Sequence, residues 1–117
     1  MREIRSKEID WSPGSGYEKK VLLTDDSVSP PRTILQQVRF RKGESVPPHH
    51  HEVQTEAFYF LQKGAISIEG MRHDMDPGDI LVCEPGEVHE TPEVQEDFSI
   101  IVLKINFEHD DTVWLEE

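Results

Sequence analysis

Histidine and glutamate side chains that can bind a metal ion are concentrated in the middle of the chain. The segment Pro47-Pro48-His49-His50-His51 is followed closely by Glu56. Successive side chains of a β-strand point to opposite faces, so His49 and His51 would share one face and His50 would be exposed on the other. Two imidazoles with this spacing can bind the same ion.

A second strand and a later turn would complete such a site. If the residues after His51 form a turn, Glu56 begins the next antiparallel strand and faces the same space. Phe58 and Phe60 follow on that face, and they predict an apolar pocket lining beside a few polar groups. His89, after the turn at Pro85-Gly86, can supply a third imidazole.

The elements that must position these residues are short β-strands. No long segment has the apolar spacing of a helix, whereas short apolar or alternating runs end repeatedly at turn residues. The apolar run 98–107 predicts a strand that is buried on both faces. This pattern is typical of an all-β sandwich or barrel. The predicted strands cover residues 33–40, 57–61, 65–68, 71–75, 80–83, 88–91 and 98–107, with two less regular ones at 9–11 and 21–23.

Two motifs in the chain resemble those of the cupin superfamily. The first is G-x5-H-x-H-x4-E from Gly43 to Glu56, and the second is G-x5-E-P-G-x2-H from Gly78 to His89. The resemblance implies a double-stranded β-helix, which is a small jelly-roll barrel and usually a dimer. It also implies a set of four metal ligands, namely His49, His51, Glu56 and His89.

The same resemblance implies how the chain is divided. Residues 32–117 would form the cupin barrel, and residues 1–31 would form a strand-containing extension that packs on the barrel or on a partner subunit. Seven residues separate Glu56 from Gly64 where the family pattern has six, which predicts a longer turn at Gln62-Lys63.

The ligand types limit the metal. Three imidazoles and one carboxylate, without a thiolate, suit one divalent ion of Fe, Mn, Ni, Zn or Co. Cys83 is predicted to be a buried strand thiol rather than a ligand or a nucleophile. Bidentate chelation of a substrate by such an ion would polarise it.

Acidic residues surround the last histidine of the proposed site. From Asp74 to Asp97 there are nine carboxylates and no Lys or Arg. Strand alternation from His89 places Glu87 on the same face, so Glu87 is the candidate acid–base residue. An acidic rim would favour an uncharged or cationic small molecule.

The composition excludes several classes of protein. The chain has 117 residues and a formal net charge of −12, which argues against a sequence-independent nucleic-acid binder and against binding to an anionic membrane surface. Its single cysteine, the lack of a long apolar segment and an N-terminus unlike a secretory signal predict a cytoplasmic protein.

Three functions are compatible with these features. The first is a metal-dependent oxygenase, isomerase or lyase that acts on a small oxygen-rich molecule. The second is a non-catalytic module that binds or senses a small molecule or metal, and the third is a metal-free cupin similar to sugar epimerases. Because the run 98–107 has apolar residues on both faces, one face needs cover from the N-terminal segment or a second subunit, and a homodimer is predicted.

Overall fold

The computed structural model describes residues 3–24 and 32–115. Among these residues there is no α-helix, and none of the described elements is a helix long and apolar enough to cross a membrane. A single turn of 3₁₀-helix covers Ser6–Glu8. The strands are β1 (Ser12–Pro13), β2 (Glu18–Leu23), β3 (Thr33–Phe40), β4 (Val46–His51), β5 (Thr55–Phe60), β6 (Gly64–Ile68), β7 (Met71–Met75), β8 (Ile80–Cys83), β9 (His89–Thr91), β10 (Phe98–Ile105) and β11 (Thr112–Trp114).

The strands form two antiparallel sheets whose apolar faces pack together. One sheet has six strands in the order β1-β2-β3-β10-β5-β8, and the other has five in the order β11-β4-β9-β6-β7. The core takes side chains from both sheets, including Phe40, Phe58 and Phe98 from the first and Ile66 and Ile68 from the second. The structure confirms the predicted all-β barrel.

Alternating sequence patterns explain which face of each central strand is buried. In β3, Ile34, Gln36, Val38 and Phe40 are all buried and the residues between them are only partly so. The prediction for the run 98–107 is wrong in one respect, because β10 is buried on one face only and ends at Ile105. Its outward apolar side chains are half-buried or exposed, since no described element covers that face.

The connection between β5 and β6 contains the residues at which a bulge or a longer turn was expected. β5 ends at Phe60 and β6 begins at Gly64, so Gln62 and Lys63 lie in the connection. Gly64 is required here because a Cβ atom would lie 2.4 Å from the ring of Phe98. The Gln62 side chain accepts a hydrogen bond from the Ser99 N–H at 2.7 Å, which joins this turn to β10.

The described part of the N-terminal segment packs on the barrel. β2 pairs with β3, and the Lys20 ammonium donates hydrogen bonds to the carbonyl and hydroxyl of Ser6. The Trp11 ring lies 3.9 Å from the Arg39 guanidinium carbon. The strand predicted at 9–11 is wrong, since these residues lie between the 3₁₀ turn and the short β1 and belong to neither. Residues 25–31, which precede the predicted boundary at 31/32, lie outside the described residues.

Candidate metal centre

Three imidazoles converge on the inner face of the five-stranded sheet. β4 supplies His49 and His51, and His89 begins β9 directly opposite His49. One nitrogen from each ring lies within 4.8 Å of the others. The register between β4 and β9 shifts between Val46 and His49, so pairing resumes at the histidines.

Glu56 lies beside this cluster on the facing sheet. It is buried on the inner face of β5, and its Oε1 lies 2.6 Å from Nε2 of His51 and 3.3 Å from Nε2 of His89. The same oxygen is fully buried but makes no well-aligned hydrogen bond. A buried carboxylate oxygen without such a bond, next to two imidazole nitrogens, fits the coordination of a shared cation better than a hydrogen-bond network.

The second motif attaches its turn to the strand that bears the first two histidines. Gly86 has a φ of +84°, which a residue with a Cβ atom rarely adopts. Its N–H donates a hydrogen bond to the His51 carbonyl at 2.7 Å. This bond ties the turn before β9 to the end of β4, and so it helps to bring His89 to the cluster.

The charges in the cluster are strongly coupled. Burial and the nearby charge of His89 lower the pKa of His49 to about 4. Burial alone would lower the pKa of His89, but its interactions with Cys83 and Glu56 raise the pKa to about 10. Burial would raise the pKa of Glu56, whereas its contacts with His51 and His89 hold that pKa below its usual range. A metal cation would take the place of a proton in this cluster.

Each imidazole has a partner at Nδ1, which leaves the other ring nitrogen available to a metal. The sequence did not predict these partners, because they depend on how the strands and turns are arranged around the cluster. They are the Pro47 carbonyl for His49 at 2.9 Å, the Thr112 hydroxyl for His51 at 3.3 Å and the Cys83 thiol for His89 at 3.3 Å. Cys83 is a buried strand thiol at the end of β8, as predicted, and its sulfur lies at the edge of the core beside His89.

A small cavity of about 100 Å³ opens beside the cluster. Phe58 lines it, as predicted, but Phe60 does not: this ring is fully buried and stacks on Phe98 with centroids 5.9 Å apart. Phe60 lies two residues after Phe58 on the inner face of β5, where its ring packs in the core instead of lining the cavity. Side chains that the sequence did not place at the site also line the cavity, among them Tyr17, Lys104 and Thr112. Gln36 and Trp114 line it as well.

The structure does not support the predicted role of Glu87. β9 begins at His89, so strand alternation does not extend back to Glu87. The Glu87 carboxylate accepts a hydrogen bond from the Glu84 N–H at 2.7 Å, and this residue does not line the cavity. Its backbone carbonyl, rather than its side chain, lies near the His89 ring, at 3.4 Å from Nδ1.

Two further expectations about the surroundings are also corrected. The acidic residues between Asp74 and Asp97 do not line the cavity, where Glu56 is the one carboxylate among the described lining residues. The predicted acidic rim is therefore not found there. His50 is half-buried rather than exposed, because β11 pairs alongside β4 and places Val113 opposite His50.

The chain belongs to the cupin family. The model of the cupin domain matches residues 36–103, more than half of the chain and all of the proposed site. No curated protein is similar enough in sequence to be matched.

Similar solved structures share the fold. A predicted oxalate decarboxylase from Thermotoga maritima is 24% identical, with 89% of this chain and 98% of that chain covered and a TM-score of 0.77. KdgF from Halomonas sp. is 24% identical over 94% of this chain and 97% of that chain, with a TM-score of 0.76. The Streptomyces nucleoside dehydratase Pac13 is 12% identical over 99% of this chain and 92% of that chain, with a TM-score of 0.76.

Proposed function

We propose that this cupin is a metal-dependent enzyme that acts on a small oxygen-rich molecule. The proposal depends on one observation: three imidazole nitrogens within 4.8 Å of one another face a buried carboxylate oxygen at the edge of a cavity. The proposed ligands are His49, His51, Glu56 and His89. The set suits a divalent Fe, Mn, Ni, Zn or Co ion.

The chain's own residues would prepare the cavity for this chemistry. A bound divalent ion would act as a Lewis acid on the oxygen atoms of a substrate. Phe58, Ile100 and Val102 line the cavity with apolar surface, which excludes water and strengthens polar interactions inside. The centroids of the Trp114 and His49 rings lie 4.6 Å apart, so the indole packs against that imidazole.

The proposed reaction is that of an oxygenase, an isomerase or a lyase. The sequence predicted an uncharged or cationic substrate because it predicted an acidic rim around the cavity. The cavity lining does not support this prediction, since Glu56 is its one carboxylate among the described residues. Among the similar structures, the names refer to oxalate decarboxylation and to nucleoside dehydration. Both names describe lyase-type chemistry on small molecules with several oxygen atoms, so we place a lyase reaction first among the three classes.

The metal content of the purified protein tests this proposal directly. Elemental analysis of protein prepared without added ions should find about one divalent transition metal per chain. His49→Ala and Glu56→Gln should lose most of this metal and all metal-dependent turnover. His73→Ala is the matched control, because His73 lies on β7 outside the cluster and its loss should change neither quantity.

Other outcomes would favour the alternative functions. Stoichiometric metal and tight binding of a small molecule, with no turnover either in air or without oxygen, would indicate a binding or sensor module. Protein that contains no metal and loses none of its activity in Glu56→Gln would contradict the proposal and favour a metal-free cupin similar to sugar epimerases.

The remaining expectations about partners stay predictions. The net charge of −12 still argues against nucleic acid and anionic membranes as partners. A cytoplasmic location likewise stays a prediction from the sequence. We also propose that the chain forms a homodimer through the outer face of the six-stranded sheet.

A further inference from the structure

Lys104 is a cationic side chain inside the barrel. It lies on the inner face of β10, where it follows Ile100 and Val102 at alternate positions. In the register of the sheet it stands directly opposite Glu56 on β5. Lys104 also lines the cavity that holds the histidine cluster.

The ammonium of Lys104 interacts with the charge of Glu56 only at long range. Among the described residues, its Nζ makes no hydrogen bond and has no carboxylate within 4 Å. The nearest recorded interaction is with the Phe107 ring, whose centroid lies 5.5 Å away. A largely buried ammonium without a hydrogen bond or an ion pair is energetically costly, so its presence in the cavity lining requires an explanation beyond packing.

The charge balance of the cavity indicates what kind of ligand Lys104 would bind. With a divalent ion bound, Glu56 would offset one of its two charges, and Lys104 would add one more. The remaining lining residues of the described chain bring no further carboxylate. The cavity would then have a net charge of about +2 in largely apolar surroundings, and a bound anion would offset it.

A neighbouring amide adds polarity to the same wall. Gln36 is buried on the inner face of β3 and lines the cavity. It pairs with Val102, two residues before Lys104 on the same face of β10. An ammonium and an amide on adjacent strands can together bind the two oxygens of one carboxylate.

We propose that Lys104 and Gln36 form an anion subsite that binds a carboxylate of the substrate, while other oxygens of the substrate face the histidine cluster. The substrate class is then a small hydroxy- or oxo-acid in which Lys104 binds a carboxylate that does not face the histidine cluster. This inference rests on the proposed metal-dependent function, and it replaces the expectation of an uncharged or cationic ligand.

Binding of simple dicarboxylates tests the subsite. The probes are malonate, malate and 2-oxoglutarate, titrated calorimetrically into the protein as purified, with the diamide of malate as an uncharged analogue. At least one dicarboxylate should bind the wild-type protein, and Lys104→Met should weaken that binding about tenfold or more, since a charge-assisted hydrogen bond is lost. Lys104→Arg should retain most of the affinity, and the diamide should bind equally to wild type and Lys104→Met.

Controls separate charge at this position from general effects. Lys63→Met removes an exposed lysine, whose side chain is 83% accessible, and should leave dicarboxylate binding unchanged. Lys104→Met should fold with an unchanged or higher Tm, because it removes a buried charge that makes no hydrogen bond or ion pair. Equal affinity of wild type and Lys104→Met for all three dicarboxylates, or no dicarboxylate binding to the wild type, would overturn the proposal.

The same titrations distinguish the subsite from the metal function. If the protein lacks metal but still binds a dicarboxylate in a Lys104-dependent way, the metal function fails and the anion subsite stands. If the protein contains stoichiometric metal and Lys104→Met has no effect on dicarboxylate binding, the subsite fails and the metal function stands.

Discussion

At the scale of single residues, Cys83 shows how one side chain orients a proposed ligand. Its sulfur lies 3.3 Å from Nδ1 of His89 and 3.6 Å from the Glu87 carbonyl oxygen. In the tautomer that leaves Nε2 of His89 free, the Nδ1–H donates to the sulfur and the thiol donates to that carbonyl. Such partners orient a histidine ligand and set which nitrogen binds the metal.

Replacing Cys83 should therefore weaken metal binding without removing a ligand. Cys83→Val keeps the apolar volume but loses both hydrogen bonds, and we expect a metal affinity about tenfold lower. Cys83→Ser keeps a donor and an acceptor and should lose less. Competition with a chromogenic chelator at neutral pH measures the affinity, and a Cys83→Val protein that binds metal as tightly as the wild type would contradict the positioning role.

At the scale of secondary-structure elements, the C-terminal strand β11 holds one side of the site. The Asp111 carboxylate accepts hydrogen bonds from the N–H groups of Glu52, Val53 and Gln54 at 3.0 to 3.1 Å. It thereby caps the turn between β4 and β5. The next residue, Thr112, reaches His51, so this cap positions the partner of a proposed ligand.

The cap has a specific pH dependence. Burial would raise the pKa of Asp111, but the three backbone hydrogen bonds outweigh it and hold the pKa below its ordinary value of 3.8. A depressed pKa means that the carboxylate stabilises the fold above about pH 4 and that this stabilisation is lost as the pH falls through the folded value. Asp111→Asn should therefore unfold about 1 kcal/mol more easily at neutral pH, and this difference should shrink in acid.

Chemical denaturation across a pH series measures this effect. Asp110→Asn is the matched control, because it removes a neighbouring exposed carboxylate for which the structure records no such bonds. A difference between Asp111→Asn and wild type that stayed constant from neutral pH into acid would mean that the carboxylate charge does not provide the stabilisation.

At the scale of the whole molecule, the outer face of the six-stranded sheet is unusually apolar. Tyr59, Ile80, Val82 and Ile105 are 43%, 56%, 51% and 48% exposed. The register places Ile80 opposite Tyr59, so these side chains adjoin one another across β8 and β5. A contiguous apolar face of this kind is typical of a protein–protein interface.

We predict that two copies of the chain pair through this face. Val82→Glu would bury an unpaired charge in the interface and should raise the dimer dissociation constant about 100-fold. Met71→Glu is the control, since Met71 is 65% exposed on β7 of the other sheet. Sedimentation equilibrium measures the constant, and a wild-type protein that is monomeric at high micromolar concentration would contradict the prediction.

Local features of the sequence determined the proposed ligands and most of the strands. The two-residue period of β-strands places His49 and His51 on one face of β4. It likewise places Glu56 and Phe58 together on the inner face of β5. Glycine turns with positive φ, such as that at Gly86, have a direct sequence signature. These features depend on a few neighbouring residues, so they can be predicted without a fold.

Only the tertiary structure decided which distant side chains share the cavity. Lys104 faces Glu56 because β10 pairs with β5, and Thr112 reaches His51 because β11 pairs with β4. The placement of Glu87 on the face of His89 by strand alternation was wrong, because β9 begins two residues later than the alternation required. Register and strand ends depend on contacts between segments far apart in the chain, and neither composition nor local period contains that information. For the same reason, the acidic excess that the sequence places around His89 lies outside the cavity, whereas Lys104 lies within its lining.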